Sequence, residues 1–278
     1  MYFYIKMIIF FIITFLLISL LIGSLVYFCI IALKINSDEN SEIDSNNYNN
    51  SNNLKLNPVN GFALSYLNTL NVPDQGKLKS CGAVQISTLM SYYYNLQSNN
   101  TETFSALYTY YYGRTNSYVD DGGTIDNYLT SINMYGLTTE KEWPYIISNV
   151  YTKPYINITK YSPELRWNTI TTNISHIKSS IISGIPILLD INLYSSFYNV
   201  NSSGIVSVPN ITNESYIARH TITLWGWDDD YKTFIMLNTW GRNAGYNGWF
   251  FLPYEYITTP SLSTLFVYNI SFIRQFNM

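Results

Sequence analysis

The feature that most constrains this chain is an apolar run over residues 7–33, broken only by Thr14, Ser19, Gly23 and Ser24. A helix of about 20 apolar residues crosses the hydrocarbon layer of a bilayer, so the run is long enough to cross with tilt to spare. The apolar part of a secretory signal is shorter, about 7–15 residues, and closes on a small-residue cleavage site that is not evident here. A buried core helix of this length would need polar caps and a partner surface. The run is therefore expected to be a retained transmembrane anchor, with Cys29 inside it as a small apolar residue. Lys6 and the N-terminus precede the run, and Lys34 follows it, ahead of Asp38, Glu39, Glu42 and Asp44. Only Lys and Arg count towards orientation. The bias is about one charge and favours a cytoplasmic N-terminus.

Residues 34–53 are rich in Asn and Ser with scattered acids and almost no apolar periodicity, the pattern of a flexible stalk. The expected division is a short tail over 1–6, the anchor over 7–33, the stalk over 34–53 and one globular domain over 54–278. Net charge is −3, Lys and Arg together number 15, and no basic block stands out. That argues against a nucleic-acid binder. The 47% hydrophobic and 17% aromatic content excludes a disordered chain, a coiled coil and a collagen. The excess of Asn, Tyr and Ile points to an A+T-rich coding source.

Within the domain, the spacing predicts helices over 82–96, 125–135 and 174–183, the last two closed by Gly136 and Gly184. Short β-like runs follow over 186–192, 220–228, 234–238, 249–253 and 265–272, separated by Gly, Asn and Asp. Helices first and strands later indicate an α+β protein.

Cys81 is the only thiol outside the apolar run. A polar, Gly-bearing loop runs from Pro73 into it, and a helix is predicted to start just after it. Free amides and the dipole at a helix N-terminus lower a thiol's pKa, and the thiolate is the nucleophile. A buried structural cysteine is the other reading. Of the two histidines, His176 falls among Ser and Lys in a predicted surface helix, whereas His220 opens a β-like run. His220 is either the base that a nucleophilic cysteine needs or a satisfied core residue. Asn238 stands in Asn238-Thr239-Trp240-Gly241. Its side-chain oxygen can orient an imidazole, with Trp240 shielding the bond. A plain turn would explain Asn and Gly but not the Trp.

Taken together, these residues resemble the papain family of cysteine peptidases over nearly all of 58–272, in the family's order. Gln75, six residues before Cys81, matches the family's oxyanion glutamine. Gly122-Gly123 resembles its backbone clamp for substrate. Trp143-Pro144-Tyr145 resembles its Tyr-Pro-Tyr, His220 with Gly226-Trp227 its His and Gly-Tyr, and Asn238-Thr239-Trp240-Gly241 its Asn-Ser-Trp-Gly. Gly248-Trp249 resembles the Gly-Tyr that closes the block. Cys81 and His220 are 139 positions apart and Cys81 and Asn238 are 157 apart, against a family spacing of about 130–150.

The resemblance implies a two-lobe fold, with helices around Cys81 and a β barrel carrying His220 and Asn238. It implies peptide-bond hydrolysis by a Cys81-His220-Asn238 triad through an acyl-enzyme thioester. Gln75 would stabilise the oxyanion, Gly122 and Gly123 would hold substrate, and Trp240 would cover the pair. It implies no metal or cofactor, a peptide or protein substrate, a monomeric catalytic domain and, through residues 7–33, a lipid bilayer as partner.

Departures from the pattern carry further expectations. The family's Cys-Gly-Ser-Cys-Trp is here Leu78-Lys79-Ser80-Cys81-Gly82. The missing Trp is expected to leave one wall of the cleft open. Ala244 stands where a second Trp of the Trp-Gly block usually lies, so the leaving-group side is expected to be less aromatic. Arg219 precedes the histidine where Asp or Asn is common. No disulfide can form in the domain, which favours a reducing compartment. Six sequons, from Asn157 to Asn269, would favour the lumen, but arise readily by chance in an Asn-rich chain. The stalk is too short for the family's inhibitory pro-segment, and a stripped-down peptidase from an A+T-rich coding source fits a large DNA virus or a protist. The competing reading is a catalytically silent relative that binds peptides or a partner at a membrane. A double-glycine leader peptidase or a transglutaminase-like acyl transferase would share Cys and His, but not Gly122-Gly123 or Asn238-Thr239-Trp240-Gly241.

Overall fold

The computed structural model describes residues 58–64, 71–98, 100–155, 157–263 and 266–277. The expected anchor over 7–33, with Cys29, and the stalk lie outside the described residues. Among the described residues no helix is long and apolar enough to cross a membrane.

The helical part is built on α1 (Cys81–Ser98), whose residues from Gly82 to Tyr93 are buried except Thr88. A helix covered on nearly every side needs small and hydroxylated residues that bond inward. Ser91 Oγ donates to the Ser87 carbonyl and Ser87 Oγ to Thr109 Oγ1, at 2.8 and 2.9 Å. Around it lie α2 (Ala106–Gly113) and α3 (Ile125–Tyr135). Ser105 caps α2 by accepting from the Tyr108 amide, and Thr124 caps α3 by accepting from the Asn127 amide. Gly136, at φ 74°, ends α3 as its sequence position predicts. The sequence Ala-Leu-Tyr-Thr-Tyr-Tyr-Tyr-Gly of α2 is a helix that propensity hides, because Tyr and Thr favour strands. Tertiary packing of Leu107, Tyr108 and Tyr110, all buried, overrides that preference.

The second part is a seven-stranded sheet formed by β1 (Gly61–Ala63), β2 (Ser162–Thr171), β3 (Ile187–Tyr194), β4 (Tyr216–Asp228), β5 (Thr233–Leu237), β6 (Trp249–Pro253) and β7 (Phe266–Asn277). Its order is β2-β7-β3-β4-β5-β6, with β1 also on β4, and every named strand pair is antiparallel. The α+β class expected from the sequence is therefore observed. In place of a barrel closed by strand pairing, the sheet order has two ends, β2 and β6. The strands β1 and β2 and helix α2 are absent from the sequence reading. Helix α4 (Ile174–Ile182) and the short α5 (Tyr254–Thr258) complete the fold, and His176 on α4 is exposed as expected.

Strand β4 positions the site. It begins four residues earlier than its apolar pattern predicts, because Tyr216 to Arg219 are exposed and carry no burial signal. His220 is its first buried residue, so it stands where the strand passes from solvent into the core. Ile191 pairs with it from β3.

Candidate active site

Cys81 is the first residue of α1 and is half-buried. Its amide is one of the N–H groups that a helix start leaves without an intrahelical partner. His220 is 4% exposed and Asn238, just after β5, is 1% exposed. Asn238 Oδ1 lies 2.8 Å from His220 Nε2 and also accepts from the Thr239 amide at 2.8 Å. That backbone donor fixes the oxygen end of the amide towards the ring, so Nε2 must carry a proton. Nδ1 is then the nitrogen left for the thiol, and the imidazole and Cys81 sulfur are hydrogen-bonded.

The electrostatics of the pair follow from this contact. Burial of Cys81 disfavours its charged form. The His220 hydrogen bond and charge, with a hydrogen bond from the Thr221 backbone, outweigh that burial and hold the thiol below the ordinary range. Burial likewise disfavours the His220 cation. Its hydrogen bond and charge interaction with Cys81, then Asn238 and the charge of Asp190, hold it above the usual histidine value. Both directions favour a thiolate–imidazolium pair.

The other predicted residues gather around this pair. Trp240 places its ring 5.6 Å from that of His220. Gln75 is tied at both ends of its amide: Thr239 Oγ1 donates to Oε1, and Nε2 donates to the Leu78 carbonyl at 2.7 Å. An amide nitrogen has two hydrogens. Among the described residues the second has no protein acceptor. The loop bearing Gln75 is also sewn to the Asn238–Gly241 turn, by Gln75 N to Thr239 O at 2.8 Å and Gly241 N to Pro73 O at 2.9 Å. Gly122, at φ 84°, donates its amide to Tyr110 Oη at 3.2 Å, and a Cβ there would lie 3.3 Å from the Lys79 carbonyl. The clamp loop thus borders the residues just before Cys81. Among the described residues no group of three His, Cys, Asp or Glu could hold a metal ion.

Two expectations are corrected. The wall left by Gly82 is filled rather than open. A Cβ on Gly82 would lie 2.8 Å from the ring of Tyr128, and a Cβ on Gly123 would lie 2.8 Å from its hydroxyl. Tyr128, from α3, is fully buried and occupies the space beside both glycines. The leaving-group side is also aromatic despite Ala244. Phe197 packs edge-on against Trp240 at 5.4 Å, and the exposed Tyr198 stacks parallel on it at 5.2 Å. Both come from the short 3-10 turn Ser195–Asn199 after β3.

Tyr128 leads to a stability prediction. Its buried hydroxyl has no partner among the described residues. Tyr128→Ala should cost about 3–5 kcal/mol through the cavity left behind. Tyr128→Phe should change stability by less than about 1 kcal/mol, because only an unpaired polar atom is lost. Urea unfolding of the two variants checks this. Equal losses would mean that the hydroxyl, not the ring, is what matters.

Sequence reasoning missed two further residues of the site. Gln85 lies one turn after Cys81 and is fully buried. Its Nε2 donates to the Leu237 carbonyl at 2.7 Å, and its Oε1 accepts from Thr223 Oγ1 at 2.8 Å. It therefore links α1 to β4, which carries His220, and to the end of β5, which Asn238 follows. A buried polar residue in a predicted helix was the available signal. Asp190 on β3 accepts from Thr221 Oγ1 at 2.6 Å, and burial raises its pKa despite that bond. It is the only charged residue in the apolar run 186–192.

Comparison with known proteins bears on the family and the fold. The Papain family cysteine protease profile matches residues 66–268. A peptidase C1-like protein of Acanthamoeba polyphaga mimivirus is 33% identical over 211 residues, covering 69% of this chain and 67% of the relative. That relative is in keeping with the expected large-DNA-virus source. Xylellain, a cysteine protease from Xylella fastidiosa, matches with a TM-score of 0.67 and 24% identity, over 73% of this chain and 83% of that one. Procathepsin B S9 from Trypanosoma congolense matches with a TM-score of 0.59 and 13% identity, over 75% and 72%. At these identities the two structures speak for the fold. The family profile spans most of the chain and the viral relative covers more than two thirds of it, and on that ground the chain belongs to the papain family of cysteine proteases.

Proposed function

We propose that the protein hydrolyses peptide bonds with Cys81 as nucleophile, His220 as acid and base, and Asn238 as the group that orients His220. The observation that carries this reading is the buried His220–Asn238 hydrogen bond at 2.8 Å, with the other imidazole nitrogen on Cys81. The Cys81 sulfur attacks the scissile carbonyl carbon, and its π electrons move to oxygen. The Gln75 amide and the Cys81 backbone N–H receive that oxyanion. His220 gives its proton to the leaving amine as the C–N bond breaks. A water, deprotonated by His220, then releases the acyl group from sulfur. Gly123 offers its backbone to an extended substrate, and Trp240 keeps water off the His220–Asn238 bond.

The test is intact-mass labelling by an epoxysuccinyl cysteine-protease probe, followed by a pH profile of Cys81 alkylation. One adduct is expected on the parent and none on Cys81→Ala. At about pH 6 a free thiol of pKa about 8.5 is almost wholly protonated. A lowered Cys81 pKa keeps thiolate present there, so alkylation should still outrun that of free cysteine. Loss of imidazolium at higher pH, above the ordinary histidine value, should end the plateau. In His220→Ala the lowering partner is gone and burial remains, so the rise should move to the alkaline side. A parent that follows the free-thiol profile would refute the pair and favour a silent, peptide-binding relative.

The same reading places the protease at a membrane, held by residues 7–33 through the stalk, with its N-terminus cytoplasmic. The apolar run itself supports this. Full-length chain should stay with membranes in alkaline carbonate, and deletion of residues 7–33 should release it.

A further inference from the structure

The two oxyanion donors of the proposed reaction sit at opposite ends of one short loop. The Gln75 side chain is at its start, and the Cys81 backbone N–H follows its last residue, Ser80. A hole made from two ends of a loop works only if both ends are held at a fixed separation. Two backbone amides of the loop do part of this: Leu78 N donates to Gln75 O at 3.3 Å, and Lys79 N donates to the Asp120 carboxylate Oδ1 at 3.0 Å.

We propose that Tyr145 is a positioning residue for this oxyanion site, its phenol oxygen bridging the two ends of the loop. Tyr145 Oη donates to the Gln75 carbonyl at 2.9 Å and lies 2.5 Å from Ser80 Oγ. A phenol has one hydrogen. Since it goes to Gln75, Ser80 must be the donor in the second bond. Ser80 is fully buried, so its hydroxyl has no ready exchange with solvent. The tyrosine is anchored from outside the loop. Its amide donates to Glu140 Oε1 at 2.5 Å, and its neighbour Trp143 accepts from Ser105 Oγ at 2.5 Å and donates to the Thr139 carbonyl at 3.1 Å. The brace is therefore referred to the body of the fold. The sulfur and imidazole make no hydrogen bond to it, as theirs run to each other, to the Thr221 backbone and to Asn238. The phenol should govern stabilisation of the oxyanion while leaving the activation of the thiol alone.

The inference rests on the proposed peptidase reading, and its test separates the two. Full-length Tyr145→Phe, which keeps the ring and removes only the bridge, should lower kcat on a peptide amide about tenfold with KM within about twofold. Alkylation of Cys81 by iodoacetamide passes through no oxyanion. Its rate and pH profile should match the parent's. On a Gln75→Ala background the same substitution should add less than about twofold, since one end of the site is already lost. Ser80→Ala, which removes one arm of the bridge, should show a smaller loss of the same kind and serves if Tyr145→Phe does not fold. A parent-like kcat in Tyr145→Phe overturns the proposal while the peptidase reading stands. So does alkylation that falls in step with kcat, or a full tenfold loss on the Gln75→Ala background. A parent that neither cleaves peptides nor alkylates faster than free cysteine sinks the peptidase reading, and this inference with it.

Discussion

Cys81→Ala should reduce peptide hydrolysis by at least about 10⁴-fold, and His220→Ala should do nearly as much. The physical reason is that the two act as one unit. The imidazole holds the thiol below its ordinary pKa, and the thiolate holds the imidazole above its own. Removing either leaves the other buried without the charge that justified its ionised form. The losses should therefore not add: the double variant should be no slower than the slower single one. Both substitutions remove atoms without introducing bulk, so melting temperatures should stay near the parent's. Steady-state hydrolysis of a fluorogenic peptide measures the loss. Hydrolysis that survives in Cys81→Ala would place the nucleophile elsewhere.

The second large effect is expected at Gln75. Gln75→Ala should lower kcat about 10²–10³-fold with little change in KM, because the donor acts on charge that develops only in the transition state. The same substitution should leave the rate of Cys81 alkylation unchanged. Gln75 is held by Thr239 Oγ1 on one side and the Leu78 carbonyl on the other. A Gln75→Glu variant would place an acceptor, and a negative charge, where a donor is needed, so it should be slower than the alanine variant. A loss confined to KM would show that Gln75 binds ground-state substrate and is no part of an oxyanion site.

Much of the site was legible because its parts are marked locally. Cys81 at a loop-to-helix junction, His220 opening a β run and Asn238 before Thr-Trp-Gly are chemical types set on recognisable punctuation. The helices expected over 125–135 and 174–183 are equally plain, each with a glycine at or just past its end. Helix α2 was not, since five of its eight residues are aromatic or β-branched types that local propensity assigns to strands. Strand β4 is legible only from His220 onward, because its first four residues are exposed and carry no burial signal.

What the sequence alone determined was the apolar run over 7–33, the α+β order, and the residue types in the right succession for cysteine-protease chemistry. These follow from composition, local periodicity and spacing along the chain. Tertiary structure alone decided how the pieces meet. Nothing near Gly82 in sequence says that Tyr128, 46 positions later, fills the missing wall. Nor does anything near Ala244 say that Tyr198 stacks on Trp240, or that Gln85 and Tyr145 brace the two sides of the site. Each of those contacts joins residues far apart in the chain. Which side chain fills a given volume, and which donor finds a buried acceptor, is settled only when the whole core packs.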